Sequence, residues 1–166
     1  MKTLSYKIDI DATPEVVWDI IADFGGVYRY SPGVKHSQTL SSHNQGLGAD
    51  RICHLAPAGN IKERITEWNE GKSYTLEIYQ GKGAPPVKKA YATLALEPGK
   101  NDGTVVTASL QYEMKYGPVG AAMDAALFGP FLAKGFTGLL AGMKHYAETG
   151  EEVSSPKGLQ FVATPA

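Results

Sequence analysis

About seven short stretches in which apolar and polar residues alternate, followed by one long apolar helix, constrain this chain more than anything else in its sequence. Leu4, Tyr6, Ile8 and Ile10 alternate with Ser5, Lys7, Asp9 and Asp11, the period of a strand with one buried face. A helix then starts at Thr13-Pro14-Glu15, with Thr13 as N-cap, proline in the first position and an acid in the first turn. Val17, Trp18, Ile20 and Ile21 form its apolar side, and Phe24-Gly25-Gly26 ends it. Val27 to Tyr30 forms a further helical turn. Strands are expected over Val34 to Ser41, Asp50 to Leu55, Asn60 to Trp68, Lys72 to Gln80, Lys88 to Glu97 and Thr104 to Met114. Gly81 to Pro86 reads as a loop, and Pro118 to Thr149 as a helix with a kink at Gly129-Pro130. A sheet of half-buried strands needs a second layer to cover its apolar face. The long helix is the only element large enough to supply it.

Length fits one domain over residues 1–150, with 151–166 a polar, proline-bearing tail expected to be poorly fixed. Apolar residues make up 43% and charged residues 20%, globular values that exclude a disordered chain. Sixteen basic residues against seventeen acidic ones, with Lys88-Lys89 the densest basic pair, give no footprint for nucleic acid. The single cysteine, Cys53, rules out an internal disulfide and fits a reducing, cytoplasmic setting. Met1-Lys2-Thr3 runs straight into a strand, so no signal peptide is expected. The weakly polar stretch Ala121 to Met143 contains Asp124, Lys134, Pro130 and several glycines; that composition argues against a membrane span and for a core helix. A monomer or homodimer is expected.

Strand pairing can be worked out from the alternation. A hairpin turning through Ala56 to Asn60 sets Leu55 opposite Ile61, Cys53 opposite Glu63 and Arg51 opposite Ile65. The next, turning at Glu70-Gly71, sets Glu63 opposite Ile78, Ile65 opposite Leu76 and Glu67 opposite Tyr74. Arg51, Cys53, Leu55, Ile61, Glu63, Ile65, Tyr74, Leu76 and Ile78 then share the inner face. Glu63 stands between Ile61 and Ile65 on that face, with Arg51 on the diagonal. A carboxylate there needs a partner, a water or a ligand, because burying it alone is costly.

The segments Ala12-Thr13-Pro14-Glu15-Val16-Val17-Trp18-Asp19, Gly46-Leu47-Gly48-Ala49-Asp50-Arg51, Lys62-Glu63-Arg64-Ile65 and Gly103-Thr104-Val105-Val106 occur in this order and spacing. With the order of elements, they resemble the START/polyketide-cyclase (SRPBCC) superfamily, whose helix-grip fold is also that of birch-pollen-type allergens and plant hormone receptors. The resemblance implies an α+β fold: a curved antiparallel sheet of about seven strands wrapped around a long C-terminal helix, two short helices after strand 1, and an apolar cavity between sheet and helix. It also implies that the position of Glu63 contacts ligand. Arg51, Cys53 and Leu55, and Ala92, Leu94, Ala108, Leu110 and Tyr112 on the last two strands, would face the same space. On the closing helix Phe128, Leu132, Phe136, Leu139 and Met143 lie at helical spacing, with Gly135, Gly138 and Gly142 leaving room for close packing or for a ligand. The loop Ala56 to Asn60 is shorter than the gate loop of the hormone receptors, which weakens a receptor reading.

Two chemistries remain open. Glu63 is either a general base or ligand anchor, or one half of a structural pair with Arg51. Tyr28, Tyr30 and Tyr112 either orient a ligand and donate a proton, with Tyr112 the candidate catalytic partner of Glu63, or pack with satisfied hydroxyls. Cys53 reads as a small buried hydrophobe. His36, His43, His54 and His145 show no zinc spacing, and no dinucleotide, Walker or G-x-S-x-G motif is present, so no metal or cofactor is expected. The chain thus reads as a binder of a polyketide, sterol or lipid-like molecule, or else as a cofactor-free cyclase or dehydratase.

Overall fold

The computed structural model describes residues 1–83, 86–159 and 162–166. Its elements are β1 (Lys2–Ile10), α1 (Pro14–Ala22), a 3-10 turn (Phe24–Arg29), β2 (Val34–Thr39), β3 (Asp50–Leu55), β4 (Asn60–Asn69), β5 (Ser73–Lys82), β6 (Val87–Pro98) and β7 (Thr104–Met114). The closing helix follows as α2 (Gly117–Met123), a π-turn (Asp124–Phe128) and α3 (Gly129–Thr149), and a short β8 (Thr164–Pro165) ends the chain. The strands form one antiparallel sheet in the order β2-β3-β4-β5-β6-β7-β1-β8. This is the helix-grip arrangement: the sheet curls around the closing helix, with the two short helices after β1.

The local causes are plain. Thr13 caps α1 by accepting from the Val16 amide at 3.5 Å, and Pro14 takes a first-turn position where its missing N–H costs nothing. Pro130 explains the π-turn just before it. A proline ring inside an α-helix clashes with the carbonyl four residues back, and the wider winding of Asp124–Phe128 takes up that strain. The helix therefore continues through Gly129-Pro130, with a change of winding in place of the expected kink. Gly142 lets α3 come against the 3-10 turn, since a Cβ there would sit 1.9 Å from the Tyr30 carbonyl oxygen.

Three expectations about register and chain ends are corrected. The first hairpin closes earlier, with Gly59 at φ +100° accepting from the Leu55 amide. This shifts the register by two, so the faces are kept, but Arg51 stands directly opposite Glu63 and Cys53 opposite Ile61. In the second hairpin Glu63 faces Ile78 and Ile65 faces Leu76, and then a bulge between Ile65 and Glu67 sets Glu67 opposite Thr75 and Trp68 opposite Tyr74. One inserted residue exchanges the faces, and that turns Trp68 inward beside Tyr74. Finally, the tail is fixed at two points: Val153 is buried and donates its amide to the Arg29 carbonyl, and β8 pairs with β1. Of the expected loop Gly81 to Pro86, residues 84 and 85 lie outside the described residues, while Gly81 and Lys82 belong to β5.

The core lies between the sheet and the helices, where Ile8, Ile10, Val17, Ile21, Phe24, Ile65, Val106, Leu140 and Met143 are buried together. By length and composition Gly117–Thr149 is apolar enough to cross a membrane, contrary to the expectation from Ala121 to Met143. Its C-terminal half is nevertheless the gripped core helix, with Leu140, Ala141 and Met143 buried.

Candidate functional site

Between the curled sheet and α3 lies a cavity of about 560 Å³. Register and bulges decide what faces it. β3 contributes Arg51, Cys53 and Leu55; β4 contributes Ile61 and Glu63; β5 contributes Tyr74, Leu76 and Ile78. β6 adds Val87, Ala90, Ala92 and Leu94, and β7 adds Leu110 and Tyr112. From the helix come Phe131, Leu132, Lys134, Gly135, Phe136, Gly138 and Leu139. The segment Tyr30 to Val34, the turn at Ala56-Pro57, and Pro156 of the tail complete the wall. Gly33, Pro57, Phe131, Lys134, Gly135 and Pro156 are exposed and mark its mouth. Around Gly135 a Cβ would meet nothing within 4 Å, so this glycine leaves open space, whereas Gly142 serves close packing.

Deep in the cavity the polar groups gather at one place. Arg51 Nε donates to Glu63 Oε2 at 2.5 Å, and Arg51 Nη1 donates to the Phe24 carbonyl at 2.6 Å while the guanidinium lies 3.9 Å from the Phe24 ring centre. Arg51 and Glu63 are 4% and 6% exposed, so each is the other's main compensation for lost hydration. Burial opposes the arginine's charge, but the Glu63 carboxylate together with smaller contributions from Cys53, Tyr74 and Tyr30 outweighs it, holding the guanidinium charged well beyond its usual range. The Cys53 thiol donates to the same Glu63 oxygen at 3.4 Å, and burial, then Glu63, push its pKa well up, so it is a neutral hydrogen-bond donor and no nucleophile.

Tyr30 and Tyr74 stand beside this pair. Each is 1% exposed, and the two hydroxyls are the buried side-chain polar atoms left without a hydrogen-bond partner among the described residues. Burial, then Tyr74, raise Tyr30 well above the usual phenol value, and burial raises Tyr74 to about 12 although Arg51 pulls the other way. An orphaned buried hydroxyl costs roughly 1–3 kcal/mol. The two stand close enough for Tyr30 to act on Tyr74 as a hydrogen-bond partner, and on a cavity wall both can also meet a ligand oxygen.

Tyr112 differs. Its ring lines the cavity, but its hydroxyl donates to Asp124 Oδ1 at 2.8 Å, and Asp124 also accepts from Lys2 Nζ at 2.7 Å. Burial, then the Asp124 bond, raise its pKa. That engagement makes it a poor partner for Glu63. Asp124 was visible in the sequence only as a flaw in an apolar helix; the signal missed was that a buried acid needs a cation, here Lys2 from β1.

Three further assignments are corrected. Tyr28 lies outside the cavity against His36 and Arg29, because the 3-10 turn points it away from the side on which Val27 and Tyr30 sit. Ala108 is fully buried but does not border the cavity. Phe128 also stays off the wall: it lies on the turn before the mouth, and Phe131 is the first residue of the closing helix to border the cavity. Tyr74, Ala90 and Phe131 are lining residues without a place in the expected ligand set. Among the described residues no group of three or more His, Cys, Asp or Glu is placed to hold a metal ion.

A family profile described as "Polyketide cyclase / dehydrase and lipid transport" matches residues 1–148. Among solved structures, the chain is similar to a START superfamily protein from Mycobacterium smegmatis, at 18% identity and TM-score 0.69 over 88% of this chain and 97% of that one. It is also similar to XoxI from Bacillus cereus, at 21% identity and TM-score 0.67 over 84% and 94%. For Ara h 8.0201 the values are 14%, 0.69, 88% and 97%. Such identities establish the shared fold. Comparison with the curated proteins finds no match.

Proposed function

We propose that this chain, which belongs to the polyketide cyclase/dehydrase and lipid transport family, holds a hydrophobic small molecule of polyketide, sterol or lipid-like shape in its cavity. Family and fold support ligand binding or cyclase/dehydrase-type chemistry as a class. The observation that favours binding is the cavity itself: about 560 Å³ of mostly apolar wall, with its buried ionic pair and tyrosine hydroxyls gathered in one cluster. Within that cluster Arg51 and Glu63 neutralise each other, so the deep end of the site offers no free charge, and Lys134 stands at the mouth. The deep end offers two unpartnered hydroxyls, on Tyr30 and Tyr74. The ligand this suits has an apolar body and one uncharged oxygen, a ketone, ester or phenol, that accepts from them. The other lining residues give shape.

The second reading, a cofactor-free cyclase or dehydratase, is favoured by one feature only, a carboxylate beside hydroxyls on an apolar wall. In it Glu63 would take a proton, and Tyr30 or Tyr74 would donate in place of the occupied Tyr112.

Native mass spectrometry of freshly purified protein tests the binding reading: a retained apolar mass supports it, and a cavity that takes up neither ligand nor the dye ANS refutes it. Glu63→Gln separates the readings. A carrier changes ligand preference and still folds; an enzyme loses turnover about 10²-fold or more with binding largely kept. A Glu63 that only pairs with Arg51 shows reduced stability and nothing else.

A further inference from the structure

The front of the closing helix carries its apolar residues on the wrong side for a core. Val119, Met123, Leu127 and Phe131 follow one another at four-residue intervals, which places them along one side. They are 64%, 37%, 64% and 54% exposed, and Tyr116 just ahead of them is 69% exposed. Only 33% of the most apolar stretch of Gly117–Thr149 is buried. The orientation is enforced, because Asp124 on the same segment is tied inward to Lys2 and Tyr112. Asp124 is also the one acid between Gly117 and Tyr146, so the exposed side carries no negative charge. Lys115 and Lys134 flank it, both exposed and neither in an ion pair among the described residues.

We propose that this face is a docking surface for the interfacial layer of a lipid bilayer bearing anionic headgroups. Exposed apolar side chains flanked by lysines are the pattern of a helix lying in the bilayer interface. Continuity with the cavity points the same way: Phe131 is both a member of the exposed row and part of the cavity mouth, so an adsorbed molecule would present its opening to the lipid. A second copy of the chain fits less well. Two-fold antiparallel pairing of this helix would set Lys115 of one copy near Lys134 of the other, with no acid to separate them. The inference goes beyond ligand binding, and adsorption is measurable with the cavity empty.

Sedimentation with vesicles tests it, using phosphatidylcholine alone and phosphatidylcholine mixed with phosphatidylglycerol. The full chain should bind the mixed vesicles in preference, and less as salt is added. Lys115→Glu should weaken that binding about 5-fold or more. Leu127→Asp and Val119→Asp should abolish it; both sites are exposed and neither lines the cavity, so ANS uptake should match the parent. No binding to either vesicle, or variants that bind like the parent, would overturn the proposal. So would a dimer that Leu127→Asp dissociates in a protein that ignores vesicles. Loss of ANS uptake in the parent would count against the ligand reading and leave the vesicle result standing.

Discussion

The two ends of the space between sheet and helices are built from the same alternating strands and come out opposite. At the β4–β5 turn the space is solid: the Trp18 and Trp68 rings lie 4.9 Å apart, and Trp68 and Phe24 each lie 6.0 Å from Tyr74. Glu70 closes that end by accepting from both indole nitrogens, at 2.9 and 2.6 Å. At the other ends of the same two strands, Ile61 and Ile78 face Gly135 and Gly138 across an empty space. What differs is the residue supplied by the helical layer, closely stacked large aromatics from α1 and its following turn at one end, and at the other an α3 face in which Gly135 and Gly138 interrupt Leu132, Phe136 and Leu139. A curved sheet determines that a gap exists; the covering layer determines whether it is filled.

The most direct way to break this contrast is to empty the filled end. Trp18→Ala should cost about 3–5 kcal/mol, the usual loss for a large core aromatic, read as a fall in denaturant midpoint. If it lowers ligand affinity and leaves stability unchanged, the two ends are not distinct. At the boundary between them, Glu63→Gln should destabilise by on the order of 3 kcal/mol, because it leaves the Arg51 charge buried without a counter-charge. The double variant Arg51→Met with Glu63→Leu should recover most of that, measured by the same denaturation.

Alkaline titration gives a smaller effect. Tyr74 keeps its proton to about pH 12 in the folded chain and would lose it near 10 when unfolded. Between those values the folded state holds more protons, so its contribution is intact below pH 10 and falls by on the order of 2–3 kcal/mol as pH rises to 12. Phenolate absorbance should then appear together with loss of circular dichroism, with Tyr30 adding to the same transition. Smallest in stability is Gly135→Trp at the mouth, expected within about 0.5 kcal/mol of the parent because the position opens on free space. It should still cut ligand or dye binding about 10-fold or more, since an indole there occupies the entrance. A variant that binds normally would move the entrance elsewhere.

The sheet, its inner face and the grip helix were legible because a period of two and a long apolar run leave few alternatives. Glu63 and Arg51 on one face followed from the same arithmetic, which survives a register error of two. Steps of one residue were illegible. The bulge that turns Trp68 inward inserts a single residue, and no local pattern marks where a strand will absorb it; Pro130 marks a disturbance in the helix, but not that wider winding over Asp124–Phe128 takes it up. The Lys2–Asp124 pair was hidden for another reason: it joins residues far apart in the chain, and its need for a partner appears only once Asp124 is known to be buried.

The π-turn carries a consequence for how this helix is read along its length. It decouples the rotation of the front segment from that of the back, so α3 can be gripped while Gly117–Phe128 faces as it does. Forcing Asp124–Phe128 into ordinary α winding at unchanged length would swing the front segment by about 100°, one residue's worth of rotation. The row from Val119 to Leu127 would roll away from its present outlook, and Asp124 would leave Lys2. Which surface this protein shows at its open end is therefore set by winding, by a single residue of slack, as much as by which side chains the helix carries.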